Sequence, residues 1–182
     1  MTVGVLGYQG GCDLHINALN ALNIKNRKIL LQDDFLNLSG IILPGGESSV
    51  QYQYCLRYGL IEKITEFAKS GKPILGTCAG AILLSKIKSE KVSGLGLIDI
   101  DIERNVYGSQ INSGLKISEQ GNEVMFIRAP GILSTGINVE ILDSYNGKPI
   151  FVREKNIYCA TFHPEVLHLD KRNILNQIFA TA

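Results

Sequence analysis

The chain has 182 residues, 45% of them apolar, which fits a single domain (residues 1–182) with a core of its own. Its 18 basic and 17 acidic side chains leave a net charge of +1 with no long run of either sign, arguing against a nucleic-acid surface or a polybasic membrane patch. No stretch approaches the ~20 apolar residues of a membrane span, and the N-terminus lacks the pattern of a signal peptide. Cys12, Cys55, Cys78 and Cys159 are widely spaced with no C-x-x-C pair, as expected for reduced thiols of a cytoplasmic protein.

Thr2 to Leu6 reads as a first strand closed by Gly7, and Asp13 to Leu22 as a helix with Leu14, Ala18, Ala21 and Leu22 on its apolar stripe. Lys28 to Leu31 and Gly40 to Leu43 are the next apolar runs, the latter stopped by Pro44-Gly45-Gly46. One long helix follows, with Leu56, Leu60, Ile64 and Phe67 on one stripe, ended by Gly71 and Pro73. Pro73 to Gly76 is a fourth strand and Ala79 to Ser85 the helix behind it. Nearly all-apolar strands alternating with amphipathic helices predict a mostly parallel sheet covered on both faces.

From about Leu97 the pattern changes to short, alternating, β-branched runs: Ile98 to Glu103, Glu123 to Ile127, Val139 to Leu142, Ile150 to Arg153 and Ile157 to Thr161. Turn signals such as Asn146-Gly147 predict hairpins, hence an antiparallel insertion in the second half. A last helix is expected over Asp170 to Ala180, with Asp170 as N-cap and Ile174, Leu175, Ile178 and Phe179 buried.

The segment richest in chemistry is Gly76-Thr77-Cys78-Ala79-Gly80, between the fourth strand and its helix. It has the G-x-nucleophile-x-G form of a strand-to-helix elbow, in which a sharp turn lifts the central side chain out of the sheet. The thiol then sits by a helix N-terminus, an environment that favours thiolate, and the Ala79 N–H points where an oxyanion would form. A nucleophilic Cys needs a base that also returns a proton to the leaving group. His163, in Ala160-Thr161-Phe162-His163-Pro164-Glu165, stands at a strand end, and Glu165 two residues on shares its face. A carboxylate there would select the imidazole tautomer, so Cys78, His163 and Glu165 form a candidate triad. A plain surface histidine is the competing reading of His-Pro-Glu taken alone.

Pro44-Gly45-Gly46-Glu47-Ser48-Ser49 precedes the long helix. Adjacent glycines allow backbone N–H groups to face a ligand, so Gly46 or its neighbour is the candidate second half of the oxyanion hole, with Glu47 and Ser48 toward substrate. A turn with Ser48 or Ser49 capping the helix explains the same residues equally well. Arg104 and Arg128 stand beside apolar strands and suit a forked contact with a carboxylate or a surface salt bridge. His15 is expected to be structural or exposed. His163 and His168 lack further ligands at metal spacing, so no metal is expected. Cys12, Cys55 and Cys159 read as buried thiols.

Taken in order, Val5-Leu6-Gly7-Tyr8-Gln9-Gly10, Leu43-Pro44-Gly45-Gly46-Glu47-Ser48, Gly76-Thr77-Cys78-Ala79-Gly80, Arg104-Asn105-Val106-Tyr107-Gly108, Phe126-Ile127-Arg128-Ala129-Pro130 and Phe162-His163-Pro164-Glu165 resemble the class I (triad) glutamine amidotransferases. Within these the resemblance is to the glutaminase subunits (PdxT) of pyridoxal 5'-phosphate synthase. It implies a flavodoxin-like three-layer fold, no cofactor, and hydrolysis of L-glutamine to glutamate and ammonia through a thioester on Cys78. It further implies that Gly46, Glu47, Ser48, Arg104, Ile127 and Arg128 bind glutamine, and that Gly46 and Ala79 line the oxyanion hole. Gln9 and Gly10 would lie at the contact with a (β/α)8 synthase partner that receives the ammonia through a tunnel. Gly7, Tyr8, Ser109, Gly114 and Val166 depart from the residues usual in that family. The rival expectations are the glutaminase of another amidotransferase, of the histidine-biosynthesis type, and a Cys-elbow redox protein on a similar fold.

Overall fold

A computed structural model describes residues 2–87, 93–107 and 113–180. Gly108 and the departure at Ser109 lie outside the described residues. Five parallel strands, β1 (Val3–Leu6), β2 (Asn26–Ile29), β3 (Gly40–Leu43), β4 (Ile74–Thr77) and β11 (Ile157–Ala160), form one side of a seven-stranded sheet. β10 (Lys148–Glu154) and β9 (Glu140–Tyr145) extend it antiparallel, giving the order β2-β1-β3-β4-β11-β10-β9. The first five positions follow the flavodoxin-like 2-1-3-4-5 order. Two short antiparallel ladders stand apart, β5 (Ile100–Tyr107) with β8 (Ala129–Thr135), and β6 (Gly114–Ile117) with β7 (Glu123–Phe126).

Alternation along the strands feeds two cores. Leu6, Ile41, Leu43, Ile74 and Cys159 point to one, closed by α2 (Ser48–Arg57), α3 (Leu60–Lys69) and α4 (Ala79–Leu84). Val3, Val5, Ile42, Leu75 and Ala160 point to the other, closed by α1 (Cys12–Ala21), α5 (Ile174–Phe179) and the β6–β7 ladder. This is the three-layer sandwich the resemblance implies. Among the described residues no helix is long and apolar enough to cross a membrane.

Several expected elements are redrawn. The single long helix is two, because Gly59 adopts a left-handed φ of 65° and breaks it, leaving Leu56 exposed while Leu60, Ile64 and Phe67 stay buried. In α1 the buried face is Cys12, His15, Ala18 and Leu19, and Leu14 is half-exposed. β2 ends at Ile29; Leu30 and Leu31 are exposed, and both backbone N–H groups donate to the Asp34 carboxylate. The last helix starts only after Asn173, whose side chain accepts from the Leu175 N–H, whereas Asp170 accepts from the Arg172 N–H. β8 was hidden by Pro130 and Gly131, residues that normally punctuate strands. Gly131 is required there, since a Cβ would lie 2.8 Å from the Val106 side chain across the ladder. Asn146 (φ 52°) and Gly147 (φ 71°) make the expected two-residue turn between β9 and β10.

Candidate active site

The loops after β1, β3 and β4 meet at the carboxyl ends of the parallel strands, where open α/β sheets bind ligands. Cys78 occupies the elbow between β4 and α4, with φ 49° and ψ −105°, a backbone region costly for any side chain. It is held there by its own N–H on the Ala160 carbonyl (2.8 Å) and by its carbonyl accepting from Ala81 (3.1 Å). The flanking glycines are steric requirements. A Cβ at Gly76 would sit 2.7 Å from the Gly80 backbone, and one at Gly80 would sit 1.8 Å from the Leu43 carbonyl oxygen in the sheet centre. Gly80→Ala is therefore expected to lower unfolding free energy by about 3 kcal/mol or more, measured by urea melts.

His163 and Cys78 converge on Gly45. A Cβ there would meet His163 Cε1 at 2.5 Å and Cys78 Cβ at 3.4 Å. His163 follows β11, and its N–H donates to the Met125 carbonyl at the end of β7. Glu165 does not continue an extended chain: Pro164–Val166 turn into a short 3-10 helix, so the carboxylate reaches back across a turn. The result is an Nδ1 to Oε1 distance of 2.7 Å between two buried groups. His163 Nε2 makes no hydrogen bond of normal geometry, although the thiol beside it is among the groups that act on the ring.

Burial alone would push the imidazole of His163 down. The Cys78 thiol and then the Glu165 carboxylate outweigh it and raise its pKa from 6.5 to about 10. In the unfolded chain the ring titrates near ~6.5, so between the two values the folded protein holds the extra proton. The stability this contributes is complete below pH ~6.5 and declines as pH rises to about 10. Urea midpoints at pH 6.5 and 9.5 should show that decline, and Cys78→Ala should shrink it.

The loop after β3 is gripped from β1. Gly11 N–H donates to the Gly45 carbonyl (2.9 Å), and Gln9 Nε2 donates to the Glu47 carbonyl (2.9 Å). Gly10, φ 79°, has no room for a side chain, because a Cβ would lie 2.0 Å from Gly45 O. Gly46, φ 153°, is next to Gly10, Gln9 and Gln51, and Gln51 Nε2 donates to the Pro44 carbonyl. Ala79 opens α4, so its N–H has no carbonyl within its own helix to bond. The cap of α2 is neither serine. Glu47 accepts from the Ser49 N–H and Oγ, and the same oxygen accepts from Arg104 at 2.6 Å. Burial opposes ionisation of Glu47, but the Ser49 and Arg104 contacts hold it below the usual carboxylate range. Ser48 is buried.

Arg104 reaches Glu47 from a bulge. The register of β5 against β8 slips between Glu103 and Tyr107, and Asn105 (φ 58°) lies in the slip. Ile127 and Arg128 (φ 47°) form the exposed turn joining β7 to β8, next to the Met125 carbonyl that holds His163. The structure thus draws Cys78, His163, Glu165, Gly46 and Ala79 to one place, with Glu47 and Arg104 paired at its rim.

His15, expected to be structural or exposed, is fully buried, with Nε2 3.4 Å from Glu165 Oε2. Its spacing from Cys12, Ala18 and Leu19, three and four residues along the helix, was the available signal. The other three cysteines are buried as expected, and burial pushes the Cys12 thiol up to about 11 and Cys55 up to about 12.

The sequence model of the SNO glutamine amidotransferase family matches residues 5–180. A pyridoxal 5'-phosphate synthase subunit PdxT from Thermotoga maritima is 42% identical over 173 residues, covering 91% of this chain and 92% of that protein. The subunit of the same name from Geobacillus thermodenitrificans is 39% identical and covers 98% of this chain and 95% of its own. A crystal structure described as a glutamine amidotransferase superposes with a TM-score of 0.89 at 32% identity, over 98% of this chain and 97% of that one. With the elbow cysteine, the His163–Glu165 pair and a match of this extent, the chain belongs to the SNO glutamine amidotransferase family.

Proposed function

We propose that the chain is the glutaminase subunit of a pyridoxal 5'-phosphate synthase, cytoplasmic, hydrolysing L-glutamine to glutamate and ammonia. The observation that carries this reading is where unmet hydrogen-bonding capacity collects. Among the described residues the buried side-chain polar atoms without a hydrogen bond are Ser48 Oγ, Gln51 Oε1, His163 Nε2 and Glu165 Oε2, the last of which faces the buried His15 ring. All belong to the Pro44–Gln51 and His163–Glu165 segments, which meet at Gly45 beside Cys78. Buried atoms of this kind are costly in a packed interior and are expected where a polar ligand completes the site.

Cys78 sulfur attacks the side-chain amide carbon, and the N–H groups near Gly46 and Ala79 receive the oxyanion. His163, its Nδ1 held by Glu165, gives its Nε2 proton to the departing ammonia, leaving a γ-glutamyl thioester. It then takes a proton from water as water attacks the thioester, and returns that proton to sulfur as glutamate leaves. Glu47, Ser48, Arg104, Ile127 and Arg128 bind the amino-acid end, with Arg104 facing its carboxylate. The ammonia passes to a (β/α)8 synthase subunit, with Gln9 and Gly10 at the contact. A glutaminase assay with and without that subunit tests the reading. Ammonia should be released from glutamine, and pyridoxal 5'-phosphate should form from the assembled pair. Absence of glutamine-dependent ammonia from the pair would overturn it.

A further inference from the structure

Glu165 has two oxygens and His163 uses one. Oε1 receives His163 Nδ1, and Oε2 is buried with no hydrogen bond of normal geometry. Facing Oε2 from α1 is His15 Nε2, at 3.4 Å, and both side chains are fully buried. The other nitrogen of that ring, Nδ1, lies 2.9 Å from the Gly11 carbonyl. Both ring nitrogens therefore face oxygens that accept, and only a ring with a proton on each satisfies the two together. The Thr77 hydroxyl, 3.4 Å from Nε2, adapts to either state of the ring.

We infer that His15 is a positioning residue of the triad: anchored through Nδ1 on Gly11, it holds Oε2 of Glu165 through Nε2 and so keeps Oε1 on His163. The inference rests on the glutaminase reading above for its meaning in turnover, and on the geometry alone for the contact. The terminal torsion of a glutamate is broad, so a carboxylate tied at one oxygen swings and its partner imidazole swings with it. A second tie at the far oxygen removes that freedom. Burial is the largest influence on the His15 ring and, with His163 nearby, holds its pKa below the ordinary value. The doubly protonated ring that its two oxygen partners, Glu165 and the Gly11 carbonyl, favour is thus opposed by its surroundings, and the contact stands on the geometry. For Glu165, burial opposes ionisation, and His15 and then His163 pull it back below the usual range. The anchor is also placed to matter: Gly11 carries the N–H that grips Gly45, so one residue fixes both the glycine loop and the ring behind the triad.

Two amide substitutions separate the two contacts. In H15N the amide reaches the place of Nδ1 and can serve Gly11 but not Glu165. In H15Q it reaches the place of Nε2 and can donate to Oε2. With the synthase subunit present, and rates referred to the folded fraction from near-ultraviolet dichroism, H15N should lower kcat by about 10- to 100-fold with KM for glutamine within about twofold. H15Q should recover most of that loss. Equal kcat in the two variants, wild-type kcat in H15N, or a loss carried by KM would overturn the proposal. Should both variants unfold, E165Q supplies the decision through ring-nitrogen NMR shifts: His15 should move together with His163, and a His15 spectrum unchanged by E165Q would overturn the contact. If the wild-type complex releases no ammonia, the proposed activity fails, and those shifts still decide the contact.

Discussion

Cys78→Ala should abolish ammonia release while leaving the fold and the docking of the partner intact. Alanine keeps the Cβ and tolerates the elbow's φ of 49° no worse than cysteine does, so the backbone that β4 and α4 impose is unchanged. What disappears is the atom that must be acylated. None of the remaining thiols can stand in. Cys12, Cys55 and Cys159 are buried, and burial disfavours their thiolate forms. The expected loss in the assembled complex is about 10³-fold or more in glutamine turnover, with an unchanged circular dichroism spectrum and unchanged co-elution with the synthase subunit. Turnover at the wild-type rate would remove Cys78 as nucleophile.

His163→Asn should lower turnover by several orders of magnitude. Asparagine can retain a hydrogen bond to Glu165 from the position of Nδ1, so the packing around the Met125 carbonyl and Gly45 persists. It has no group to carry a proton between sulfur, ammonia and water. The loss should fall on kcat and leave KM for glutamine near its wild-type value, because the residues assigned to the amino-acid end are untouched. Near-normal turnover would remove His163 as the acid and base.

Most of the parallel half of the fold was legible because β1, β3, β4 and β11 are short and apolar, whereas β2, which carries Asn26, Arg27 and Lys28, was placed two residues late. The elbow was legible because Gly76 and Gly80 have no alternative. What could not be read depended on contacts between distant residues. Gly59 looks like any helix interruption until its left-handed φ divides α2 from α3. The Glu47 cap competes with two adjacent serines, and Arg104, reached through a bulge in another ladder, is the partner that ties the same carboxylate oxygen to a distant strand. Residue spacing pointed to His163 and Glu165 through an extended strand, yet the chain joins them through a 3-10 turn. The structural role of His15 was open in the sequence, but its contact was not legible, because the partner, Glu165, lies 150 positions away and the apolar stripe of α1 was placed one residue off.

The sheet ends at one side in β2, a parallel rim strand carrying Arg27 and Lys28. Arg27 donates to the Asp34 carbonyl, and Lys28 lies 2.6 Å from Asp13. Charged side chains on an edge strand disfavour its pairing with a further strand, so this rim is poorly suited to runaway edge-to-edge stacking, independently of anything that happens at the thiol.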